Sequence, residues 1–313
     1  MKAIRIHAYG GAEQIQLEEA SLPDCGAGDV LVRVVAAGIN PIDWKIRSGS
    51  MAKGIQRTFP LTLGWDAAGV VAAVGRGVTQ FRRGDEVFFY AEFTRGGTYA
   101  EFVAVAAAQV ALKPRTMSFA NAAALPMPAQ AAWVALMDTA KVVAGMRVLV
   151  HGAAGALGSI AVQLARVAGA DVIATATGAG LELVSTLGAS QVIDYKAQRF
   201  ETLASDIDVV LDTVGGPTQE ASWATLRKDG LLVATATPPS PERAKAAGVR
   251  SVFVFTPPRG AVLAELAKLV DAGRLRAIVG QEFALADAAK AHRLGEAGGA
   301  RGKMVLHVGA PAA

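Results

Sequence analysis

Cysteine is nearly missing from this chain. Cys25 stands alone, so no internal disulfide framework can form and a reducing compartment suits the protein. Histidine is scarce as well, and His7, His151, His292 and His307 show no spacing that would gather metal ligands. Lys and Arg form no block long enough to read as a nucleic-acid arm, and a net charge of +4 is scattered. Aromatic residues make up only 6% of the chain and do not cluster with basic ones, which argues against RNA as a partner. Two uncharged runs, Thr116–Met137 and Val148–Ala165, are long enough to test as membrane spans. The first is interrupted by Asn121, Pro126, Pro128 and Gln130, the second by His151 and a glycine turn, so both read as buried structure away from lipid. The start, MKAIRIHAYGG, carries no apolar signal core. A globular, cytoplasmic protein without nucleic-acid or membrane partners is the expectation.

What is present is glycine and apolar surface: 34 glycines and 52% hydrophobic residues in 313 positions, enough for two modest domains or one large one. Up to about residue 115 the pattern is β-rich. Lys2–His7, Ile15–Glu19, Val30–Ala36, Gly69–Val74, Glu86–Phe89 and Tyr99–Val105 read as short strands separated by glycine turns, which suggests a barrel or sandwich. From Ser118 helices appear, Ala120–Leu125 and Ala129–Ala140, with Pro126 and Pro128 between them. Strands and helices then alternate. Val148–Val150, Val172–Thr175, Val192–Tyr195, Val209–Leu211, Leu231–Ala234 and Val252–Phe255 are apolar enough to be buried on both faces, the mark of a doubly wound parallel sheet. After Pro257 and Pro258, helices Val262–Ala272 and Asp287–Gly295 precede a last strand, Val305–Val308.

Within this pattern Met146–Arg166, MRVLVHGAAGALGSIAVQLAR, stands out. A buried strand meets Gly152, Gly155 and Gly158, and Ile160, Leu164 and Val167 follow at helical spacing. A strand, a glycine turn and a helix N-terminus aim backbone N–H groups at a pyrophosphate. Gly152, Ala153, Ala154, Gly155, Ala156 and Leu157 are therefore the candidate phosphate cradle. His151 abuts the turn and reads as a buried structural group.

An Asp or Glu at the end of the second strand, about 20 residues on, would mark NAD. This strand ends Thr175-Ala176-Thr177-Gly178, without an acid, and its two threonine hydroxyls suit a phosphate. NADP(H) is the expected cofactor. No Lys or Arg lies between Thr177 and Ser185, and the nearest cations are Lys196 and Arg199.

The chain resembles the zinc-free quinone oxidoreductases of the medium-chain dehydrogenase/reductase superfamily. The resemblance runs over essentially its whole length. It is carried by AAGINPIDWKIRSG (36–49), LGWDAAGVVAAVG (63–75), FRRGDEVF (81–88), GGTYAEF (96–102), AAALP (122–126), HGAAGALG (151–158), GASQVIDY (188–195), LDTVGG (211–216) and RGKMVLHV (301–308). It implies an α/β architecture: a GroES-like barrel domain from residues 1–117 and 276–313, and a doubly wound Rossmann domain from residues 118–275. Zinc-bearing relatives place cysteine where this chain has Asn40 and histidine where it has Trp65, so no metal is expected.

The resemblance further implies that Asn40 lies near the nicotinamide, orienting the ring or donating to a developing oxyanion; alone, it also reads as a turn former before Pro41. Trp44, Trp65, Tyr90 and Phe93 are candidates to line the substrate site, with a place in the core as the alternative for both tryptophans. Thr175, Thr177 and Tyr195 would frame the adenosine phosphate, and Val214, Thr235, Phe255 and Lys303 would complete the cofactor contacts. Asp43 and Asp66 fall in motifs near the site without an identified partner. The implied chemistry is hydride transfer from NADPH to a small quinone or an α,β-unsaturated carbonyl, where conjugation spreads the oxyanion and hydrogen-bond donors suffice. An enoyl-thioester reductase is the alternative enzyme, and a non-catalytic NADPH sensor or RNA-binding relative the alternative of another class. A homodimer through an edge strand, Val252–Phe255, is implied as well.

Overall fold

A computed structural model describes residues 1–52, 58–298 and 301–309. These form two compact units: residues 1–127, 257–273 and 277–313 make the first, and 128–256 with 274–276 the second.

The first unit is built on β1 (Lys2–Ile6), β2 (Gln16–Glu19), β3 (Asp29–Ile39), β4 (Leu61–Thr62), β5 (Asp66–Val74), β6 (Glu86–Tyr90), β7 (Phe102–Ala106) and β8 (Val110–Leu112). Helix α1 (Pro41–Arg47) follows β3, and α2 (Phe119–Ala123) precedes α3 (Pro126–Trp133), most of which belongs to the second unit. Proline is tolerated in the first turn of a helix, where its missing N–H costs nothing. The helix expected over 129–140 therefore starts early, at Pro126, and passes into a π-helical stretch, Val134–Thr139.

The second unit is a sheet of β9 (Arg147–Val150), β10 (Asp171–Ala176), β11 (Gln191–Asp194), β12 (Ile207–Asp212), β13 (Leu226–Ala234) and β14 (Arg250–Phe253). Its helices are α4 (Ala156–Val167), α5 (Gly180–Thr186), α6 (Gly216–Ser222) and α7 (Pro241–Ala247). Strand order is β11-β10-β9-β12-β13-β14 with every pairing parallel. The chain steps outward one way from β9 and resumes on its other side at β12, which makes the carboxyl ends of these two strands the switch point of the sheet. Leu149, Ile173, Val210 and Leu232 lie within the core, as doubly covered strands require.

The chain then returns to the first unit through α8 (Gly260–Asp271), β15 (Val279–Ala284), α9 (Ala288–Glu296) and β16 (Lys303–His307). The larger sheet there runs β15-β16-β3-β5-β6-β8, with β7 also on β3, and a smaller sheet runs β2-β1-β4. Ile4, Val32, Trp65, Phe89 and Leu306 share one core.

The unit boundaries differ from those read in the sequence, which placed 118–127 and 257–273 with the nucleotide-binding half. Pro257 and Pro258, not residue 276, mark the first return. Helix α8 packs so closely on the β8 region that a Cβ on Gly260 would lie 2.4 Å from the Val110 carbonyl oxygen. No helix among the described residues is long and apolar enough to cross a membrane.

Candidate active site

In the first unit, strand direction assembles a polar cluster. β3 runs antiparallel to both β5 and β16, so the end of β3 lies beside the starts of the other two. Asp66 opens β5, Lys303 opens β16, and Asn40 follows β3. The Lys303 side chain crosses over Gly38, where a Cβ would come 2.9 Å from Cε of Lys303 and 2.3 Å from the Ala123 carbonyl oxygen. Its ammonium donates to Asp66 Oδ2 at 2.8 Å and also to Asn40 Oδ1. Asn40 Nδ2 donates to Asp66 Oδ2 at 2.9 Å, and the Met127 N–H donates to Asp66 Oδ1 at 2.8 Å. All three side chains are buried: Asp66 is 0% exposed, Lys303 2% and Asn40 4%. Burial raises the Asp66 carboxyl above its ordinary pKa, while the Lys303 ammonium and the two other donors, Asn40 and the Met127 N–H, work against that rise.

Asn40 has extended backbone angles and begins α1, with Pro41 in the first helical position. The Asp43 carboxylate reaches back to the Asn40 N–H at 2.8 Å and accepts the Tyr99 hydroxyl at 2.6 Å. Desolvation pushes the Asp43 carboxyl up to about 7 despite these two bonds. Beyond Tyr99, His292 Nε2 lies 3.4 Å from the hydroxyl, and Arg47 contacts His292 Nδ1 at 3.1 Å and Glu296 at 2.6 Å. The Arg47 guanidinium can only donate, so Nδ1 accepts and the His292 proton sits on Nε2. Burial, reinforced by Arg47, lowers the His292 pKa to about 3, so the ring is neutral.

The aromatic candidates divide. Trp65 and Tyr90 are buried in the core at 0% and 2% exposed, and Phe93 packs edge-on against both, with ring centroids 5.2 and 5.7 Å away. Trp44 is half-buried, edge-on to His292 and so close to α9 that a Cβ on Gly295 would meet its ring at 2.7 Å. Lys303, expected among the cofactor contacts, is buried in an ion pair with Asp66.

In the second unit the candidates line up. Each lies within a few residues of the carboxyl end of a parallel strand: the glycine turn after β9, Thr177 after β10, Tyr195 after β11, Val214 after β12, Thr235 after β13 and Phe255 after β14. Tyr195, Val214 and Phe255 are 52%, 52% and 63% exposed, so their surface faces outward at that rim. The turn is tight at two glycines. Gly152 has φ +64° and would set a Cβ 2.5 Å from Thr213 Oγ1, while a Cβ on Gly158 would meet the Gly152 carbonyl oxygen at 2.3 Å. Gly155 is the N-cap of the twelve-residue α4, and no side chain caps that N-terminus, which leaves the first-turn N–H groups to a ligand or solvent.

Thr175 departs from its expected place. It is only 3% exposed, and its hydroxyl lies 3.0 Å from His151 Nδ1. The Ser222 hydroxyl donates to the Thr218 carbonyl oxygen at 2.6 Å and lies 3.0 Å from His151 Nε2. Ser222 therefore accepts from Nε2–H, and Thr175 donates inward to Nδ1. Burial lowers the His151 pKa to about 4, so the ring is neutral and ties the glycine turn to β10 and α6. Asp212, buried at the end of β12, accepts from the Val214 and Gly215 N–H groups at 2.9 and 2.8 Å and from Gln219 at 2.9 Å, shaping the loop that carries Val214. Sequence reasoning missed this anchor, although an acid closing an apolar strand before Thr-Val-Gly-Gly was its signal. Among the described residues no group of His, Cys, Asp and Glu is arranged to hold a metal ion.

A GroES-like unit joined in one chain to a doubly wound parallel sheet defines a medium-chain dehydrogenase/reductase. Residues 26–115 match the alcohol dehydrogenase GroES-like domain, and residues 187–306 match the zinc-binding dehydrogenase family. The tomato 2-methylene-furan-3-one reductase is 36% identical, covering 98% of this chain and 79% of its own. The solved quinone oxidoreductase of Coxiella burnetii superposes with a TM-score of 0.92 at 33% identity, over 99% of both chains. That of Escherichia coli, solved in complex with NADPH, gives 0.88 at 29% identity, over 98% of this chain and 100% of its own. The chain belongs to the quinone oxidoreductase-like family of the medium-chain dehydrogenase/reductases.

Proposed function

We propose that this chain is a zinc-independent reductase that uses NADPH to reduce a quinone or an α,β-unsaturated carbonyl. The observation that carries the reading is the bare N-terminus of α4 behind a glycine turn at the switch point of a six-stranded parallel sheet. The fit to a dinucleotide is physical: Gly152 and Gly158 have no room for a Cβ, and the opening N–H groups of α4 favour an anion. Gly152–Leu157 would hold the pyrophosphate, Thr177 and Tyr195 the adenosine end, and Val214, Thr235 and Phe255 the remainder along the strand ends. When bound, NADPH supplies the hydride. Thr175 supports this arrangement from beneath, through His151. The acid-free end of β10 favours NADP over NAD, because no carboxylate stands there to repel a 2′-phosphate.

In the first unit, Asn40 is the residue proposed to serve the reaction. One Nδ2–H is engaged by Asp66 and the carbonyl oxygen by Lys303, which leaves the second Nδ2–H for an acceptor oxygen. Trp44 and Phe93, the half-buried members of the aromatic set, are proposed to face the substrate, with Trp65 and Tyr90 supporting them. At the two positions where zinc-bearing relatives carry ligands, this chain offers an amide and an indole, and neither supplies a thiolate or imidazole. A conjugated acceptor spreads its developing charge, so hydrogen-bond donors meet the need. The protein is proposed to work in the cytoplasm as a homodimer paired through β14, whose Phe253 is 42% exposed, with no nucleic-acid or membrane partner.

Steady-state oxidation of NADPH and NADH against quinones, enones and enoyl thioesters tests the reading. Turnover with quinones or enones, faster with NADPH, is expected and should survive dialysis against a chelator. Loss of activity on chelation would sink the zinc-free assignment, and a monomer on sizing would sink the dimer.

A further inference from the structure

We propose that Lys303 and Asp66 are positioning residues that orient and polarise the Asn40 amide, and that they act on the reduction only through Asn40. The inference rests on the reading that Asn40 serves hydride transfer, and it adds the two residues that would make its amide an effective donor.

Three observations carry it. First, the cluster fixes the amide's orientation. An ammonium that can only donate faces Oδ1, and a carboxylate that accepts faces Nδ2, so a flipped amide would set donor against donor and acceptor against acceptor. Second, the pair is aimed at the amide. The Asn40 N–H is satisfied by Asp43 at 2.8 Å, and Asp66 and Lys303 meet Asn40 only at its side chain. Third, a buried ion pair is a poor stabiliser, because apolar residues of similar volume commonly replace one without loss. Yet here an ammonium 2% exposed is threaded over a glycine that has no room for a Cβ. An ammonium on the amide oxygen draws electron density from nitrogen and strengthens the remaining Nδ2–H as a donor. Asp66 stops the amide from rotating and offsets the charge of Lys303.

The test compares three variants with the wild type: Asp66→Asn/Lys303→Met, Asn40→Ala, and the triple combination. The pair variant removes both charges together, so neither is left buried alone; where it fails to fold, Asp66→Asn/Lys303→Gln keeps neutral hydrogen bonds in their place. With NADPH and a small quinone, kcat of the pair variant is expected to fall about tenfold. Its melting temperature and its NADPH dissociation constant from fluorescence titration should hold. The triple variant should fall no further than Asn40→Ala. Losses that multiply in the triple variant, or a pair variant with wild-type kcat, would overturn the proposal.

A second readout needs no turnover. The Asn40 side-chain amide resonances, identified by their disappearance in Asn40→Ala, should shift and exchange faster with water in the pair variant. Unchanged resonances overturn the proposal. A wild type inactive with every acceptor overturns instead the reading of function, and the resonances still decide whether the pair holds the amide.

Discussion

The two units solve opposite problems with buried polarity. The first carries charge inside: Asp43, Asp66, Arg47 and Lys303 are each at most 2% exposed, in a network drawn from α1 and its cap, β5, β16 and α9. The second keeps its sheet apolar and confines buried polar side chains to neutral or capping roles, His151 between two hydroxyls and Asp212 on its own loop. Its exposed candidate residues, Tyr195, Val214 and Phe255, gather at one rim of strand ends. Each unit is therefore brittle in its own way. A charged interior fails when one partner is removed, whereas an apolar sheet with a tight glycine turn fails when volume is added.

The largest effect should come from breaking the first pattern. Lys303→Met alone leaves Asp66 buried without its ammonium and should cost about 3–5 kcal/mol in chemical denaturation. Asp66→Asn/Lys303→Met should recover most of that loss, and a single variant as stable as the wild type would contradict the network. The matching change in the second unit is Gly158→Ala, which pushes a methyl against the Gly152 carbonyl oxygen. A loss of about 1–3 kcal/mol is expected, together with at least tenfold weaker NADPH binding by titration.

Titration should separate Asp43 from His151 by sign. Asp43 has a raised pKa, so its contribution is full below the ordinary carboxylate range and is lost as pH rises through about 7. His151 has a lowered pKa, so its contribution is full above the ordinary histidine value and is lost as pH falls toward about 4. Between those limits Asp43→Asn should flatten the first trend and His151→Gln the second, read from denaturation midpoints across pH. The same slope in wild type and variant would remove the residue from that role. The smallest stability effect belongs to the rim: Phe255→Ala should change stability by no more than about 0.5 kcal/mol while weakening NADPH severalfold.

How much of this was legible in the chain follows from the same contrast. The inner strands of the parallel sheet are apolar runs, and its edge strands β11 and β14, though only partly buried, keep enough apolar residues. All six parallel strands and the glycine turn could therefore be read from sequence within a few residues. β15 could not, because its Gly-Gln-Glu centre is exposed and it pairs only at a sheet edge. Nor could α1, whose Asn-Pro start read as a turn until Asp43 was seen closing it. Asn40 was singled out, but its partners lie 26 and 263 residues away. No local pattern announces such a contact. The nearest signal was that Asp66 and Lys303 each open an apolar strand, where a buried charge needs a partner. Thr175 misled for a related reason: a hydroxyl at a strand end looks outward in sequence, and only the packing of His151 turns it in.

The most direct test of function is the initial rate of NADPH oxidation by the purified, chelator-treated protein with a quinone and with an enone. Turnover is expected with at least one of them, faster with NADPH than NADH, with a drop of about a hundredfold in kcat for Asn40→Ala at unchanged NADPH affinity. A flat trace with every acceptor, or an Asn40→Ala enzyme as fast as wild type, would contradict the proposed function.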